Sequence, residues 1–189
     1  MTIMGEIETP RLLLRTFTLD DLDALARIFG NPDVVRHLGT GMPLLRGEAE
    51  FALKGIIRHW QRHGFGRWAA IDKPTGKLIG YGGLRSFQGT PELVYLLDKP
   101  YWGLGLATEM AEASLEHGFE ERGFERIVAM TKLANLASQR VMNKIGMSLE
   151  KRATICNMEV VCYSISRAEY RSGKSEWCPR QDLNLRPPA

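Results

Sequence analysis

The sequence has few of the features that mark secreted, membrane or metal-binding proteins. Its three cysteines, Cys156, Cys162 and Cys178, form neither a CxxC pair nor an even disulfide framework. No window approaches the roughly 18 consecutive apolar residues of a membrane-spanning helix, and the N-terminus lacks a basic region followed by an apolar run. We therefore expect a cytoplasmic protein with unpaired thiols, no bound metal and no membrane contact.

An excess of charge of one sign is also missing. The chain carries 25 Lys and Arg against 22 Asp and Glu, and its net charge is +3. The basic residues are too scattered to predict a nucleic-acid surface, although this balance tolerates an anionic ligand. We therefore predict no nucleic-acid partner.

The length and composition fit one folded domain. The chain has 189 residues, of which 44% are hydrophobic and 25% charged, and this suffices to bury a sheet with helices packed on it. We assign residues 1–172 to that domain. The segment 173–189 has proline signals and no usable periodicity, so we expect a disordered tail or a non-native extension, such as a reading-frame extension.

The first half of the chain predicts helices that are followed by a hairpin. Apolar residues recur every three or four positions in the helical segments, and Lys73-Pro74-Thr75-Gly76 is a turn signal between two strand-like runs. The predicted elements are a strand at 12–15, a helix after Thr18 that ends before Asn31-Pro32, a helix at 47–63, and antiparallel strands at 67–71 and 78–87.

The second half adds strands on both sides of a regular amphipathic helix. We predict a strand at 92–97, a helix from Ala107 onward, a strand at 126–131, a short helix at 135–145 with Asn135 as its cap, and a closing hairpin at 149–155 and 160–165. This order indicates a mixed α/β sheet of the α+β type, because it lacks the regular alternation of a doubly wound fold.

A glycine-rich turn separates the strand at 92–97 from that helix. The stretch YWGLGLATEM places Gly103 and Gly105 where unpaired N–H groups meet the positive end of a helix dipole, which suits phosphate. By itself a GxG pattern usually marks an ordinary turn. Thr108 occupies the position of the third glycine of GxGxxG, and no GK[ST] follows. The dinucleotide fingerprint and the NTPase phosphate loop are therefore both excluded.

Four segments together resemble the GNAT superfamily of acyl-CoA N-acyltransferases, and within it the RimJ/RimL-like branch that acetylates ribosomal-protein N-termini. These segments are ETPRLLLR, KLIGYGGL, ELVYLLDKPYWGLGLATEM and NLASQRVMNKIGMSLE, and the likeness runs from about Glu8 to Tyr170. The resemblance implies a GNAT-type fold, with a central, mostly antiparallel twisted sheet of six to seven strands flanked by about four helices. It also implies acetyl-CoA as co-substrate, with no metal.

The resemblance further implies which residues hold the cofactor. In the family, the backbone amides of the turn bind the pyrophosphate, free main-chain groups of the preceding strand pair with the pantetheine arm, and an NxxS motif lies beside that arm. The matching residues here are Tyr95, Leu96, Leu97, Trp102, Gly103, Leu104, Gly105, Leu106, Ala107, Thr108, Asn135 and Ser138. Pro100 stands where many members have Arg or Gln, so we expect binding chiefly through backbone amides.

Acyl transfer to an amine needs a neutral amine, a polarised carbonyl and a proton for the departing thiolate. The resemblance implies direct attack within a ternary complex, with Glu92 as the base and Ser138 close to the sulfur. Tyr95 is the other candidate hydroxyl. The plainer alternatives are a solvated strand-end glutamate for Glu92, helix caps for Asn135 and Ser138, and core packing for Tyr95.

The predicted function is transfer of an acetyl group from acetyl-CoA to a primary amine, either a protein N-terminal α-amine or a small-molecule amine. The alternative is a non-catalytic acyl-CoA-binding sensor. Pro100 favours that alternative, and so does the segment 154–157, which lacks a glutamate that some relatives carry there. We expect residues 33–45 and the closing hairpin to shape the acceptor pocket, and a monomer or a homodimer.

Overall fold

The computed structural model of the protein describes residues 6–155 and 157–176. Within these ranges the chain forms eight strands and six α-helices. In chain order they are β1 (Ile7–Glu8), β2 (Leu12–Arg15), α1 (Leu22–Phe29), α2 (Pro32–Val35), α3 (Arg46–His63), β3 (Arg67–Asp72), β4 (Lys77–Phe87), β5 (Thr90–Leu97), α4 (Leu106–Glu116), β6 (Arg126–Lys132), α5 (Leu136–Lys144), β7 (Ser148–Ile155), β8 (Met158–Ser166) and α6 (Arg167–Glu176).

The eight strands form one sheet in the order β1-β2-β3-β4-β5-β6-β8-β7. Neighbouring strands are antiparallel except β5 and β6, which run parallel. Their ladder is short, with Glu92 opposite Val128 and Leu93 opposite Ala129. Since β5 continues to Leu97, its second half diverges from β6 and opens the sheet.

Helices cover both faces of the sheet, and a hydrophobic core is buried between the helices and the sheet on each side. On one face α1 and α3 pack against Ala69, Tyr81 and Leu96. On the other face α4 packs against residues of β4 and β5, with Met110 and Leu115 fully buried. The apolar stripe predicted from Ala107 onward is thus the buried side of α4, as its spacing requires.

A glycine in β4 fixes how closely α4 approaches the sheet. A Cβ atom added to Gly82 would lie 2.8 Å from the Sδ atom of Met110, which is too close for any real contact. The missing side chain therefore lets α4 lie directly on β4 and β5. This close packing sets the N-terminal end of α4 beside the end of β5.

The mixed α/β class and the mostly antiparallel sheet are confirmed, but the element counts are higher than expected. The sheet has eight strands instead of six to seven, because two-residue β1 pairs with β2. There are six α-helices instead of about four, because the sequence pattern did not predict α2 and α6. A two-residue strand and a four-residue helix are too short to show a period, and α6 carries few apolar residues.

The predicted domain boundary at 172/173 falls within α6, which continues to Glu176. Most of the segment that we expected to be a tail, residues 177–189, lies outside the described residues. The domain limits therefore stay a prediction.

Candidate active site

A cleft of about 1120 Å³ lies where β5 and β6 diverge. Its walls come from β5, the glycine turn, α5, the loop after α2, and the closing hairpin β7–β8. The lining includes every predicted site residue except Leu104. Residues 33–45 and the closing hairpin contribute to the lining, as the sequence led us to expect.

The glycine turn has the backbone geometry that its sequence predicts. Gly103 and Gly105 have φ angles of 77° and 79°, a region that L side chains rarely adopt. Gly105 is the N-cap of α4. Among the described residues, no acceptor pairs with the N–H groups of residues 103–108. These donors lie at the positive end of the α4 dipole, which is an arrangement suited to phosphate.

An arginine immediately before β2 holds this turn in place. The Arg11 Nη1 atom donates to the carbonyl oxygen of Leu104 at 2.7 Å, and Arg11 Nε donates to Glu109 Oε2 at 2.7 Å. Thr9 Oγ1 also donates to Glu109, at 2.6 Å. Burial acts to raise the pKa of Glu109, but the hydrogen bonds from Thr9 and Arg11 outweigh it and the pKa is lowered. The carboxylate therefore ties the ETPR segment to the first turn of α4.

Pro100 lies in a short 3-10 turn between β5 and the glycines. The turn begins at Asp98, a buried residue whose Oδ2 lies 2.5 Å from Arg27 Nη1 of α1. Trp102 closes the turn, because its indole N–H donates to the Leu97 carbonyl oxygen at 2.8 Å. One carbonyl at the end of β5 thus already has a hydrogen-bond donor within the chain.

Tyr95 and Ser138 are in direct contact across the cleft. The Tyr95 Oη atom lies 2.8 Å from Ser138 Oγ, where either oxygen can be the donor, and it donates to the Ser138 carbonyl oxygen at 3.1 Å. Burial raises the pKa of Tyr95 to about 12, against a smaller opposing effect of the Ser138 hydrogen bond. The phenol therefore stays protonated at neutral pH.

Asn135 is the N-cap of α5, so its predicted capping role is confirmed. Its Oδ1 atom accepts from the Ser138 N–H at 3.2 Å, and its Nδ2 donates to Thr131 Oγ1 at 3.0 Å. Both ends of the amide are therefore held, which fixes the start of α5. Because Ser138 lies in that first turn, the cap also positions the Ser138 hydroxyl against Tyr95.

Glu92 is buried, so the alternative of a solvated strand-end glutamate is wrong. It is 2% exposed, and its Oε2 atom lies 2.5 Å from Arg85 Nε on the neighbouring strand. The two residues face each other in the β4–β5 register. Glu92 and Tyr95 are three positions apart on β5, and their side chains therefore leave opposite faces of the sheet. Glu92 lies on the face that α1 and α3 cover.

The sequence reasoning did not single out two further residues of the cleft, Arg67 and His37. Burial, together with Arg36 and Lys132, lowers the pKa of His37, so its imidazole is neutral at pH 7. The Nε atom of Arg67 is buried without a hydrogen-bond partner. No sequence signal marks either residue, because one lies in an irregular loop and the other begins an ordinary strand.

The fold and the cleft define an acyl-CoA-dependent transferase, and comparison with known proteins gives the family. The profile of the acetyltransferase (GNAT) domain matches residues 11–148. The protein belongs to the GNAT acetyltransferase family, as its four sequence segments indicated.

Curated relatives agree with this assignment. The protein is 31% identical over 168 residues to the uncharacterized protein YkkB of Bacillus subtilis, covering 86% of this chain and 96% of that one. It is 30% identical over 146 residues to the uncharacterized N-acetyltransferase YnaD of the same organism, covering 76% and 83%.

Solved structures share the fold. A GNAT-family acetyltransferase from Bacillus anthracis superposes with a TM-score of 0.77 at 26% identity, covering 86% of this chain and 99% of that one. RimL, a ribosomal-protein α-N-acetyltransferase in complex with coenzyme A, has a TM-score of 0.74 at 18% identity, covering 86% and 98%. At that identity, the likeness to RimL concerns the fold alone.

The protein is therefore an acetyl-CoA-dependent N-acetyltransferase, and the GNAT family to which it belongs acts on amine acceptors. No helix within the described ranges has both the length and the apolar character needed to cross a membrane. In the same ranges, no group of three or more His, Cys, Asp or Glu side chains is arranged to hold a metal ion.

Proposed function

We propose that the protein transfers the acetyl group of acetyl-CoA to a primary amine by direct attack within a ternary complex. The observation that carries this proposal is the convergence of three features on one cleft: the open edge of β5, the free amides of residues 103–108, and the Tyr95–Ser138 hydroxyl pair. The acceptor is a protein N-terminal α-amine or a small-molecule amine.

The cofactor binds along β5 toward α4. The pyrophosphate meets the N–H groups of residues 103–108, and the pantetheine arm follows the free edge of β5 at Tyr95 and Leu96. Asn135 and Ser138 lie on the other side of the arm. Pro100 supplies no side-chain donor, and the backbone amides and the α4 dipole therefore carry phosphate binding.

The reaction needs a base on the acceptor side and a hydrogen-bond donor at the sulfur. Glu92 accepts, through a water molecule, the proton that leaves the acceptor ammonium. The Arg85 guanidinium competes with that proton for the Glu92 carboxylate. The neutral amine attacks the thioester carbonyl, the N–C bond forms and the C–S bond breaks. Ser138 and Tyr95 stabilise the departing thiolate by hydrogen bonding and relay to it a proton from the attacking nitrogen.

The pKa of Tyr95 limits its part in this relay. A phenol with a pKa of about 12 is a weaker acid than an ordinary thiol of pKa about 8.5, so it cannot by itself leave the thiolate protonated. Tyr95 therefore acts as a hydrogen-bond donor that passes on a proton and never carries a full negative charge.

Thiol release from acetyl-CoA, measured against a panel of amines and N-terminal peptides, tests the proposal. Acceptor-dependent release of coenzyme A is expected, with an acetylated amine as the product in mass spectrometry. Tight binding of acetyl-CoA without acceptor-dependent release from any member of the panel would contradict it.

A further inference from the structure

The cleft carries an excess of positive charge. Six basic residues line it: Arg36, Arg67, Arg85, Lys132, Arg140 and Lys144. The two carboxylates in the lining, Asp33 and Glu92, are already paired, with Lys99 and Arg85 respectively, each at 2.5 Å. A cationic cleft of this kind favours anionic ligands and repels polycationic amines.

Arg67 is a basic residue of the cleft with an unsatisfied hydrogen-bond donor, and the Glu92 carboxylate near it is already paired with Arg85. The Nε atom of Arg67 is buried without a hydrogen-bond partner, and none of the ion pairs between described residues includes Arg67. Its guanidinium carbon lies 5.5 Å from the centre of the Tyr81 ring. Burial is the largest effect on the pKa of Arg67 and lowers it. A buried N–H donor without an acceptor is costly, which points to a role in ligand binding.

The position of Arg67 separates it from the phosphate end of the cleft. In the sheet register Arg67 lies beside Gly83, which in turn lies beside Val94 of β5. The glycine turn begins beyond Leu97, which is about 10 Å further along β5 at the usual strand rise. Glu92, in contrast, is two residues from Val94 and on the same face of the sheet. Arg67 therefore faces the acceptor end of the cleft.

We propose that Arg67 binds a carboxylate on the acceptor, so that the enzyme selects amines carrying a carboxylate near the amino group. This inference rests on the proposed function and names the substrate class of the same site. The planar guanidinium fork suits a carboxylate, and the aromatic face of Tyr81 holds the fork in place. The carboxylate comes from a free amino acid or from an acidic residue next to a peptide N-terminus.

Matched pairs of acceptors test the proposal and distinguish these two sources. One arm compares free α-amino acids with their carboxamides, and the other compares peptides that have Asp or Asn at the second position. The wild-type enzyme should prefer the carboxylate member at least tenfold in kcat/KM in one arm. Arg67→Met should abolish that preference, Arg67→Lys should keep part of it, and Arg62→Met, which removes an exposed cation of α3, should leave it unchanged.

A binding measurement keeps this test independent of turnover. Thermal unfolding in the presence of coenzyme A should show a larger stabilisation by the carboxylate than by the neutral member of a pair, and only when Arg67 is present. Without ligands, Arg67→Met should unfold at the wild-type temperature or above it, because a buried donor without an acceptor has been removed. A fall in Tm of more than about 3 °C would instead show a structural partner and contradict the proposal.

The outcomes separate the two proposals. Turnover with equal kcat/KM for charged and neutral members in both arms overturns the carboxylate proposal and leaves the proposed function intact. A carboxylate preference that survives in Arg67→Met also overturns it. Carboxylate-selective stabilisation without any acceptor-dependent thiol release would overturn the proposed function and support the carboxylate site. If neither turnover nor selective stabilisation is observed, both proposals fail.

Discussion

The Oη atom of Tyr95 in β5 lies 2.8 Å from the Oγ atom of Ser138 in α5, although 43 residues separate them in sequence. The contact joins the open edge of β5 to the first turn of α5. It also places two hydroxyls at the point where, in our proposal, the thioester sulfur would lie.

Tyr95→Phe and Ser138→Ala should each lower kcat by about 100-fold and change the acetyl-CoA Kd little, since each removes a hydrogen bond that matters most in the transition state. If the two hydroxyls act as one relay, the double variant should be little worse than either single variant. Steady-state kinetics of all four proteins would measure this coupling. Fully additive losses would show that the two hydroxyls act independently.

The raised pKa of Tyr95 should make the protein less stable at alkaline pH. An unfolded tyrosine loses its proton near pH 10, whereas the folded Tyr95 keeps its proton up to a pKa of about 12. The stabilisation is therefore complete below pH 10 and is lost between pH 10 and 12, by up to about 1.4 kcal/mol per pH unit. Denaturant unfolding of the wild type and Tyr95→Phe between pH 9 and 11.5 would test this. An equal change in the free energy of unfolding with pH in the two proteins would contradict it.

Glu92→Gln should reduce kcat/KM by about 100-fold at neutral pH, because the amide cannot accept a proton. The amide oxygen of Gln can still accept a hydrogen bond from Arg85, so the fold should survive. Glu159→Gln, which changes an exposed glutamate of β8, is the matched control and should leave the rate within about twofold. An unchanged kcat/KM in Glu92→Gln would assign the base to another group, and His37 would be the next one to test.

Gly105→Glu should weaken acetyl-CoA binding at least about tenfold more than Gly105→Gln does. Both variants carry the same strain at a φ of 79° and add a side chain of similar size. The difference between their Kd values therefore reports the effect of the charge placed against the pyrophosphate. Isothermal titration with acetyl-CoA measures both Kd values. Equal affinities of the two variants would argue against phosphate at this turn.

The local elements followed from the sequence because their signals are short in range. The period of apolar residues located α3 and α4, and Lys73-Pro74-Thr75-Gly76 located the β3–β4 hairpin. The spacing of Gly103 and Gly105 predicted a turn with positive φ angles, and both angles are positive. Each of these patterns concerns residues that are near one another in the chain.

The same reasoning missed elements whose signal is weak. β1 has two residues and exists because β2 offers a free edge for pairing. Residues 33–45 were expected to line the cleft, but no sequence pattern within that loop marks His37 as a lining residue. Pairing and loop placement depend on neighbours that lie far away in sequence, so composition and periodicity do not report them.

By itself the sequence determined the mixed α/β class, the family and the glycine turn between β5 and α4, because these depend on local periodicity and on motifs of fixed spacing. The tertiary structure decided that Glu92 is buried against Arg85, that Tyr95 meets Ser138, and that the buried Nε atom of Arg67 has no hydrogen-bond partner in the cleft. The physical reason is that burial and charge pairing depend on which strands and helices lie side by side, and the sheet order fixes this only when the whole chain has folded.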